Sequence, residues 1–311
     1  MNILITAPQG EVFRRHFPEH VLVRLRKLGK VTLNPNERQF TREELKEALH
    51  DTDILITHWG APQMTEDMLA AAPRLGVPVL TGALPENPPE TPTGIFSCEG
   101  GEMLEGSIAR LDEFQERARQ RMIALTWNHE NEIGFPATGG TKNGLKPFGL
   151  ELLRAMDARG VLADVSHLNE AGFWDVVEHT ALPPIASHSD CRWLCDVPRN
   201  LTKEQVKALI ERGGFIGVNF FARFLTKELP ATLDDVLRHI DALCEMGAQK
   251  VIGFGSDFDG ISVWPEGLGD PSGFPALIEL LRAHGYSETV LEDLAGMNLW
   301  RLLKRAEASA Q

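Results

Sequence analysis

Several signatures are missing from this 311-residue chain, and each absence narrows what it can be. Its start, Met1-Asn-Ile-Leu-Ile-Thr-Ala-Pro8, lacks the basic segment and apolar run of a secretory leader. No apolar stretch is long enough to span a bilayer. A cytoplasmic location with no membrane partner is therefore expected. Cysteine is scarce: Cys98, Cys191, Cys195 and Cys244 form no Cys-x-x-Cys pair and no dense framework. That excludes a disulfide scaffold and predicts free, mostly buried thiols. Basic residues are outnumbered, 31 Lys and Arg against 44 Asp and Glu, for a formal charge of -13. Such a surface argues against nucleic acid or an anionic membrane as the main partner. No Gly-x-Gly-x-x-Gly occurs anywhere, so the phosphate cradle of a dinucleotide-binding domain is absent.

What is present reads as an ordinary globular chain, 43% hydrophobic and 24% charged. Ile3–Thr6, Val31–Leu33 and Asp53–Thr57 have the pattern of short strands. A helical pattern runs from Val12 through Leu25 to Gly29, a second opens at the capping box Thr41-Arg-Glu-Glu44, and a third covers Thr65–Ala72. This alternation predicts a small parallel sheet flanked by helices. Residues 76–93 contain Pro78, Pro85, Pro88, Pro89 and Pro92, which can propagate neither a helix nor a central strand. They are read as a junction between segment 1–75 and segment 94–311.

Beyond the junction, strands are expected at Gly94–Cys98, Met122–Thr126, Leu162–Val165, Pro184–Ser187, Phe215–Val218 and Val251–Gly255. Helices are expected at Ser107–Arg119, Lys146–Arg159, Glu170–Glu178, Thr202–Arg212, Thr232–Met246, Pro275–His284 and Ser287–Ala306. Six strand-then-helix repeats suggest most of a TIM-like (β/α) barrel, with an open doubly wound sheet as the alternative. Glu99, Asn128, His167, His188, Asn219 and Asp257 each follow an apolar strand. In a barrel such positions converge on one mouth.

Two histidines and two carboxylates suit zinc or a similar divalent ion. A single strand-end histidine is more often structural than a ligand. Four such groups at successive strand ends are harder to explain without a shared site. The ion would activate water and polarise a carbonyl, with Asp257 moving the proton. Arg199, in Pro198-Arg-Asn200, could either clamp a carboxylate or form a surface salt bridge. In Asp257-Phe-Asp-Gly260, Asp259 and Gly260 are expected to shape the loop.

From about Gly94 to Arg305 the chain resembles the membrane (renal) dipeptidase family of zinc metallopeptidases. The resemblance rests on eight ordered stretches: Cys98-Glu-Gly-Gly101, Ala124-Leu-Thr-Trp-Asn128, Gly144-Leu-Lys-Pro-Phe-Gly149, Asp164-Val-Ser-His167, Ala186-Ser-His-Ser189, Pro198-Arg-Asn-Leu-Thr202, Gly213-Gly-Phe-Ile-Gly-Val-Asn-Phe220 and Gly253-Phe-Gly-Ser-Asp-Phe-Asp-Gly260. It implies a (β/α)8 hydrolase barrel with a two-zinc site that cleaves dipeptides, often tolerating a D-residue at the C-terminal position. It further implies that Glu99 bridges the metals, that His167 and His188 ligate the second one, that Arg199 holds the substrate carboxylate and that Asp257 is the acid/base. Substrate contacts are expected from Asn128 and Asn219.

The chain departs from that family at three points. The family's substrate-contacting histidine is Trp127 here, with His129 nearby as a substitute. An aromatic that lines the pocket in other members is Phe221. The strand ending in His-x-Asp, which supplies the first metal in the family, has no counterpart before Glu99. The only such patterns are His188-Ser-Asp190 and His239-Ile-Asp241. The barrel is therefore expected to be N-terminally truncated, with one complete metal site and a strand edge covered by the first segment or by a second subunit in a homodimer. Asp53 or His58 is the candidate replacement ligand.

Residues 1–75 resemble the N-terminal segment of D-2-hydroxyacid dehydrogenases through Ile3-Leu-Ile-Thr-Ala-Pro8, Leu28-Gly-Lys-Val-Thr32, Asp53-Ile-Leu-Ile-Thr-His-Trp-Gly60 and Thr65-Glu-Asp-Met-Leu-Ala-Ala-Ala-Pro73. This implies a small flavodoxin-like β-α-β piece. The leading expectation is a zinc-dependent dipeptidase. A catalytically weak chimera with a degenerate metal site is the alternative, and a dehydrogenase the third.

Overall fold

The computed structural model describes residues 1–57, 61–62, 65, 67–68, 71–72, 74–75, 80, 82–89 and 94–310. It divides into two compact units, Met1–Val79 with Thr91–Gly94, and Leu80–Glu90 with Ile95–Gln311. The stretch expected to be a junction is thus split between them. His58, one of the two suggested replacement ligands, lies outside the described residues.

In the first unit, β1 (Asn2–Ile5) is the middle strand of a parallel sheet, with β2 (Lys30–Leu33) and β3 (Ile54–Ile56) on its two sides. A central strand covered on both faces is apolar throughout, and Ile3, Leu4 and Ile5 are fully buried. Leu4 clusters with Phe40, Leu45 and Leu49, and Ile5 with Phe13 and Leu22. The helix expected from Val12 to near Gly29 is two helices, α1 (Glu11–His16) and α2 (Glu19–Leu28). Pro18 stands between them with extended backbone (φ -63°, ψ 159°), and it has no N–H with which to continue the first helix. Thr41 and Glu44 form the expected capping box at the start of α3 (Arg42–Leu49). The third expected helix, 65–72, falls partly outside the described residues.

The second unit contains β4 (Ser97–Glu99), β5 (Met122–Ala124), β6 (Leu162–Asp164), β7 (Ile185–Ala186), β8 (Phe215–Val218) and β9 (Ile252–Phe254). They form one parallel sheet in sequence order. The five long helices between them, Ile108–Ala118, Pro147–Ala158, Glu170–His179, Lys203–Arg212 and Leu233–Glu245, begin within one residue of their expected starts. Pro147 occupies the first turn of Pro147–Ala158, Asn169 caps Glu170–His179, and Thr202 with Gln205 makes a capping box for Lys203–Arg212. Leu152, Phe173, Val176, Leu209, Ile240 and Leu277 turn their apolar faces to the sheet core. Among the described residues β4 and β9 are not paired with each other, so the sheet is a run of six parallel strands. The helix expected over Ser287–Ala306 is broken into Glu288–Glu292, a π-turn at Asp293–Met297 and Asn298–Ser309. The break lies at Gly296, whose φ of 158° is not helical.

Leu84, within the proline-rich stretch, is buried among Leu162, Ile185 and Phe215 of the strands and Trp300 and Leu303 of the last helix. Its backbone N–H donates to Glu307, which also receives Arg121. No described helix is long and apolar enough to cross a membrane. All four cysteines are free; Cys191 and Cys195 are buried.

Candidate metal centre

Parallel registration aligns the strand ends. Glu99 pairs with Ala124, Ala124 with Asp164, Asp164 with Ile185, Ala186 with Ile216, and Val218 with Phe254. The residues at or just after these positions therefore share one edge of the sheet. Glu99, His167 and His188 meet there. The His167 Nε2 lies 2.8 Å from Glu99 Oε1, the His188 Nε2 3.2 Å from the same oxygen, and the two Nε2 atoms 2.9 Å from each other. One ligand atom from each residue falls within 4.8 Å of the others.

The far sides of the rings fix their tautomers. His167 Nδ1 lies 3.2 Å from Asn128 Oδ1, an oxygen that can only accept. His188 Nδ1 lies 2.8 Å from Ser187 Oγ. The Ser187 hydroxyl donates to Asp164 Oδ2 through a short contact, so its oxygen is left to accept the His188 Nδ1–H. Asp164 is itself held: its Oδ1 accepts from Ser166 N–H at 3.0 Å, Ser166 Oγ at 2.7 Å and Ser187 N–H at 3.0 Å. Both imidazoles thus carry hydrogen on Nδ1 and aim Nε2 at the centre, the arrangement that orients histidine for a cation.

Two nitrogens and a carboxylate oxygen converging in this way fit a divalent ion of the zinc type. Burial lowers the pKa of the His167 imidazole, which favours the neutral ring whose Nε2 lone pair a cation takes. Glycine beneath the site permits the close approach: a Cβ on Gly217 or Gly255 would lie 2.0 or 2.1 Å from the Ser187 carbonyl oxygen. No substituent fits there, so the strands close tightly around the Ser187-His188 corner.

A cavity of about 300 Å³ adjoins these residues, lined by Glu99, Asp164, Ser187 and His188 on one side and by Phe254, Ser256 and Asp257 on the other. Asp257 sits in the left-handed region (φ 57°), and its Oδ2 accepts from Asn219 Nδ2 at 3.3 Å. A Cβ at Gly260 would come within 2.1 Å of Asp257 Oδ1 and push that carboxylate aside. Asn219 is fully buried, and its Oδ1 accepts from Phe221 N–H at 2.5 Å. It therefore holds Asp257 and the following turn.

Arg199 is not on the surface. It is 7% exposed, its Nη1 has no hydrogen-bond partner, and its guanidinium carbon lies 5.6 Å from the Phe224 ring centre. Burial pulls its pKa down to about 10, which leaves it charged at neutral pH. Asp190 is fully buried nearby, with Oδ1 accepting from Asn219 N–H and Oδ2 unpartnered. Burial pushes its carboxyl well above the usual range. Trp127, 43% exposed, has its ring centre 6.1 Å from that of His129 and 6.5 Å from that of His167. Phe221 meets Phe224 edge to face at 4.8 Å.

Asp53 is not among these groups. It pairs with Arg74 at 2.9 Å and accepts from Asn2 N–H, which accounts for its carboxylate within the first unit. Asp164, Ser166 and Ser187 were not singled out by strand-end reasoning. The two serines are marked in the sequence by the repeated Ser-His dipeptide, Ser166-His167 and Ser187-His188; Asp164 has no such mark.

The sequence profile of the membrane dipeptidase family, peptidase family M19, matches residues 91–311. An uncharacterized protein encoded 5' of pqqA in Klebsiella pneumoniae is 39% identical over 220 residues, 68% of this chain and 80% of its own. An uncharacterized dipeptidase of Schizosaccharomyces pombe is 32% identical over 69% of this chain and 53% of its own. A metallopeptidase of Rhodobacter sphaeroides, crystallised with a phosphinate mimic of the dipeptide L-Ala-D-Ala, superposes with a TM-score of 0.65 at 32% identity, over 69% of this chain and 63% of that one. The chain thus spans about half the length of the yeast relative and less than two thirds of the crystallised one. The first 90 residues lie outside the family match, which lends no support to the dehydrogenase-like reading of residues 1–75.

Proposed function

The chain belongs to the membrane dipeptidase family, peptidase family M19, and from that premise we propose that it hydrolyses dipeptides with one zinc ion held by Glu99, His167 and His188. The observation that carries this reading is the convergence of two tautomer-fixed histidines on one carboxylate oxygen. An ion bound there supplies a lowered water pKa and a polarised carbonyl.

The chain's own residues do the rest. Arg199 is charged, dry and has an unused donor, so it clamps the substrate's C-terminal carboxylate. Asp257, held by Asn219, takes a proton from the attacking water and delivers it to the leaving amine as the carbon–nitrogen bond breaks. Trp127, whose ring lies beside His167, makes the substrate contact together with His129 and Phe221 in this reading. A site that grips the carboxylate rather than the C-terminal side chain accommodates either configuration there, so D-residues are accepted.

A second reading has one observation in its favour. No His-x-Asp pair precedes Glu99, and among the described residues the only cluster of metal-binding groups is this one. A protein that binds zinc but turns over slowly would follow. Hydrolysis of Ala-Ala and Gly-D-Ala, with and without added zinc and against a His188→Ala control, separates the two. Zinc-dependent turnover lost in the control upholds the dipeptidase; zinc binding without turnover favours the second reading.

A further inference from the structure

One His-x-Asp pair is left unused by the metal centre: His239-Ile-Asp241, on the helix Leu233–Glu245. Asp241 faces away, accepting from the Tyr286 hydroxyl at 2.6 Å and lying 3.0 Å from His284 Nε2. His239 is fully buried and joins two loops from other parts of the sheet. Its Nδ1 accepts the Cys191 N–H at 3.0 Å, and its Nε2–H donates to the Leu225 carbonyl at 3.0 Å. Only the neutral tautomer with hydrogen on Nε2 makes both bonds.

The two loops are those that frame Arg199. Cys191 follows His188 by three residues and opens the segment that carries Arg199. Leu225 ends the short helix Ala222–Leu225, whose neighbour Phe224 lies against the Arg199 guanidinium. A second buried side chain repeats the connection. Asn200 Nδ2 donates both to the Cys195 carbonyl and to the Phe224 carbonyl, each at 2.8 Å. Arg199 itself lacks a partner for Nη1, so that nitrogen is placed by what surrounds it.

We infer that His239 and Asn200 are positioning residues that clamp the Arg199 segment onto the Phe224 helix and so set where the guanidinium meets a carboxylate. This rests on the reading of Arg199 as the carboxylate-binding group. A merely structural His239 would disturb every substrate alike. A clamp on Arg199 disturbs only those with a carboxylate for it to hold.

The test uses the full chain loaded with zinc. His239→Gln keeps a donor toward Leu225, and His239→Asn keeps an acceptor for Cys191, so each variant retains one of the two bonds. KM and kcat are measured on Ala-Ala and on Ala-Ala amide, alongside zinc content and calorimetric binding of Ala-Ala. KM for Ala-Ala is expected to rise about tenfold in both variants. Turnover of the amide and zinc content should not change. In an Arg199→Ala background neither variant should raise KM further. Equal losses on both substrates, loss of zinc, a KM effect that persists without Arg199, or no effect at all would overturn the clamp. If the parent protein hydrolyses neither substrate, it is the dipeptidase reading that falls. Calorimetry then decides the clamp: Ala-Ala binding weakened by the variants upholds it, and unchanged binding, or none by the parent, overturns it.

Discussion

The Nε2 atoms of His167 and His188 face each other at 2.9 Å, with both Nδ1 hydrogens committed to other partners. Two lone pairs at that distance repel unless a cation lies among them. Zinc is therefore expected to raise the melting temperature of the second unit. Binding to the folded form alone adds about 2.7 kcal/mol at a free concentration a hundred times Kd. Five of the six tryptophans, all but Trp59, lie within that unit, so tryptophan fluorescence follows it. Melting with zinc and with a chelator checks this, and His188→Ala should abolish the difference.

Ser187→Ala tests the link between Asp164 and His188. The hydroxyl passes the carboxylate's hold to the imidazole, and without it His188 Nδ1 loses its acceptor while Asp164 Oδ2 loses its donor. Removing such an outer partner costs roughly 10- to 100-fold in metal affinity. Competition titration with a chromophoric chelator reads this directly. Unchanged affinity would mean that Ser187 does not orient the ring.

Arg199→Lys keeps the charge but removes the planar fork. Lysine cannot make two parallel bonds to a carboxylate, and its ammonium is more strongly hydrated in a site this dry. KM for Ala-Ala is expected to rise by about tenfold or more while kcat falls much less, since a bond made equally to substrate and transition state is lost. Steady-state kinetics over a wide substrate range checks the split.

Much of this was legible in the sequence because it depends on local chemistry. Short apolar runs ending in Glu99, His167 and His188 give both the strands and the ligands. The capping box at Thr41 marks a helix start. The rest depends on what comes together only after folding. The roles of Asn128 against His167, Asn219 against Asp257 and His239 against Cys191 and Leu225 involve contacts across 14 to 48 positions, which no local pattern encodes. Arg199 had two readings until its burial excluded a surface salt bridge. The break at Gly296 was missed because helical periodicity continues on both sides of it.

Burial pulls the His239 imidazole down to about 4, against about 6.5 for an exposed histidine. Between those values the unfolded chain binds a proton that the folded chain refuses, so unfolding becomes easier as pH falls through the window. The contribution lost by pH 4 is on the order of 3 kcal/mol. Urea melts followed by tryptophan fluorescence at pH 7, 5.5 and 4.5 should show a falling stability. His239→Gln cannot titrate, so it should be less stable than the parent at pH 7 and show a shallower decline. An identical slope in the variant would assign the acid sensitivity to other groups.

Leu84 argues that the proline-rich stretch belongs in part to the second unit's core. Prolines prevent residues 82–89 from forming a helix or a sheet strand, yet they leave the segment extended enough to lay one leucine among Leu162, Ile185, Phe215 and Trp300. Its backbone is secured at the same point, by Glu307 on the Leu84 N–H and by Lys304 Nζ on the Leu84 carbonyl at 2.8 Å. Leu84→Ala should therefore behave as a core truncation, costing about 2–5 kcal/mol. A linker leucine would change stability by less than about 0.5 kcal/mol on the same substitution. Urea melts of the full chain followed by tryptophan fluorescence distinguish the two. A near-zero effect would return the whole stretch to the role of a connector. A full-sized one would place the start of the second unit at or before Leu84, so a fragment beginning at residue 94 would lack part of its own core.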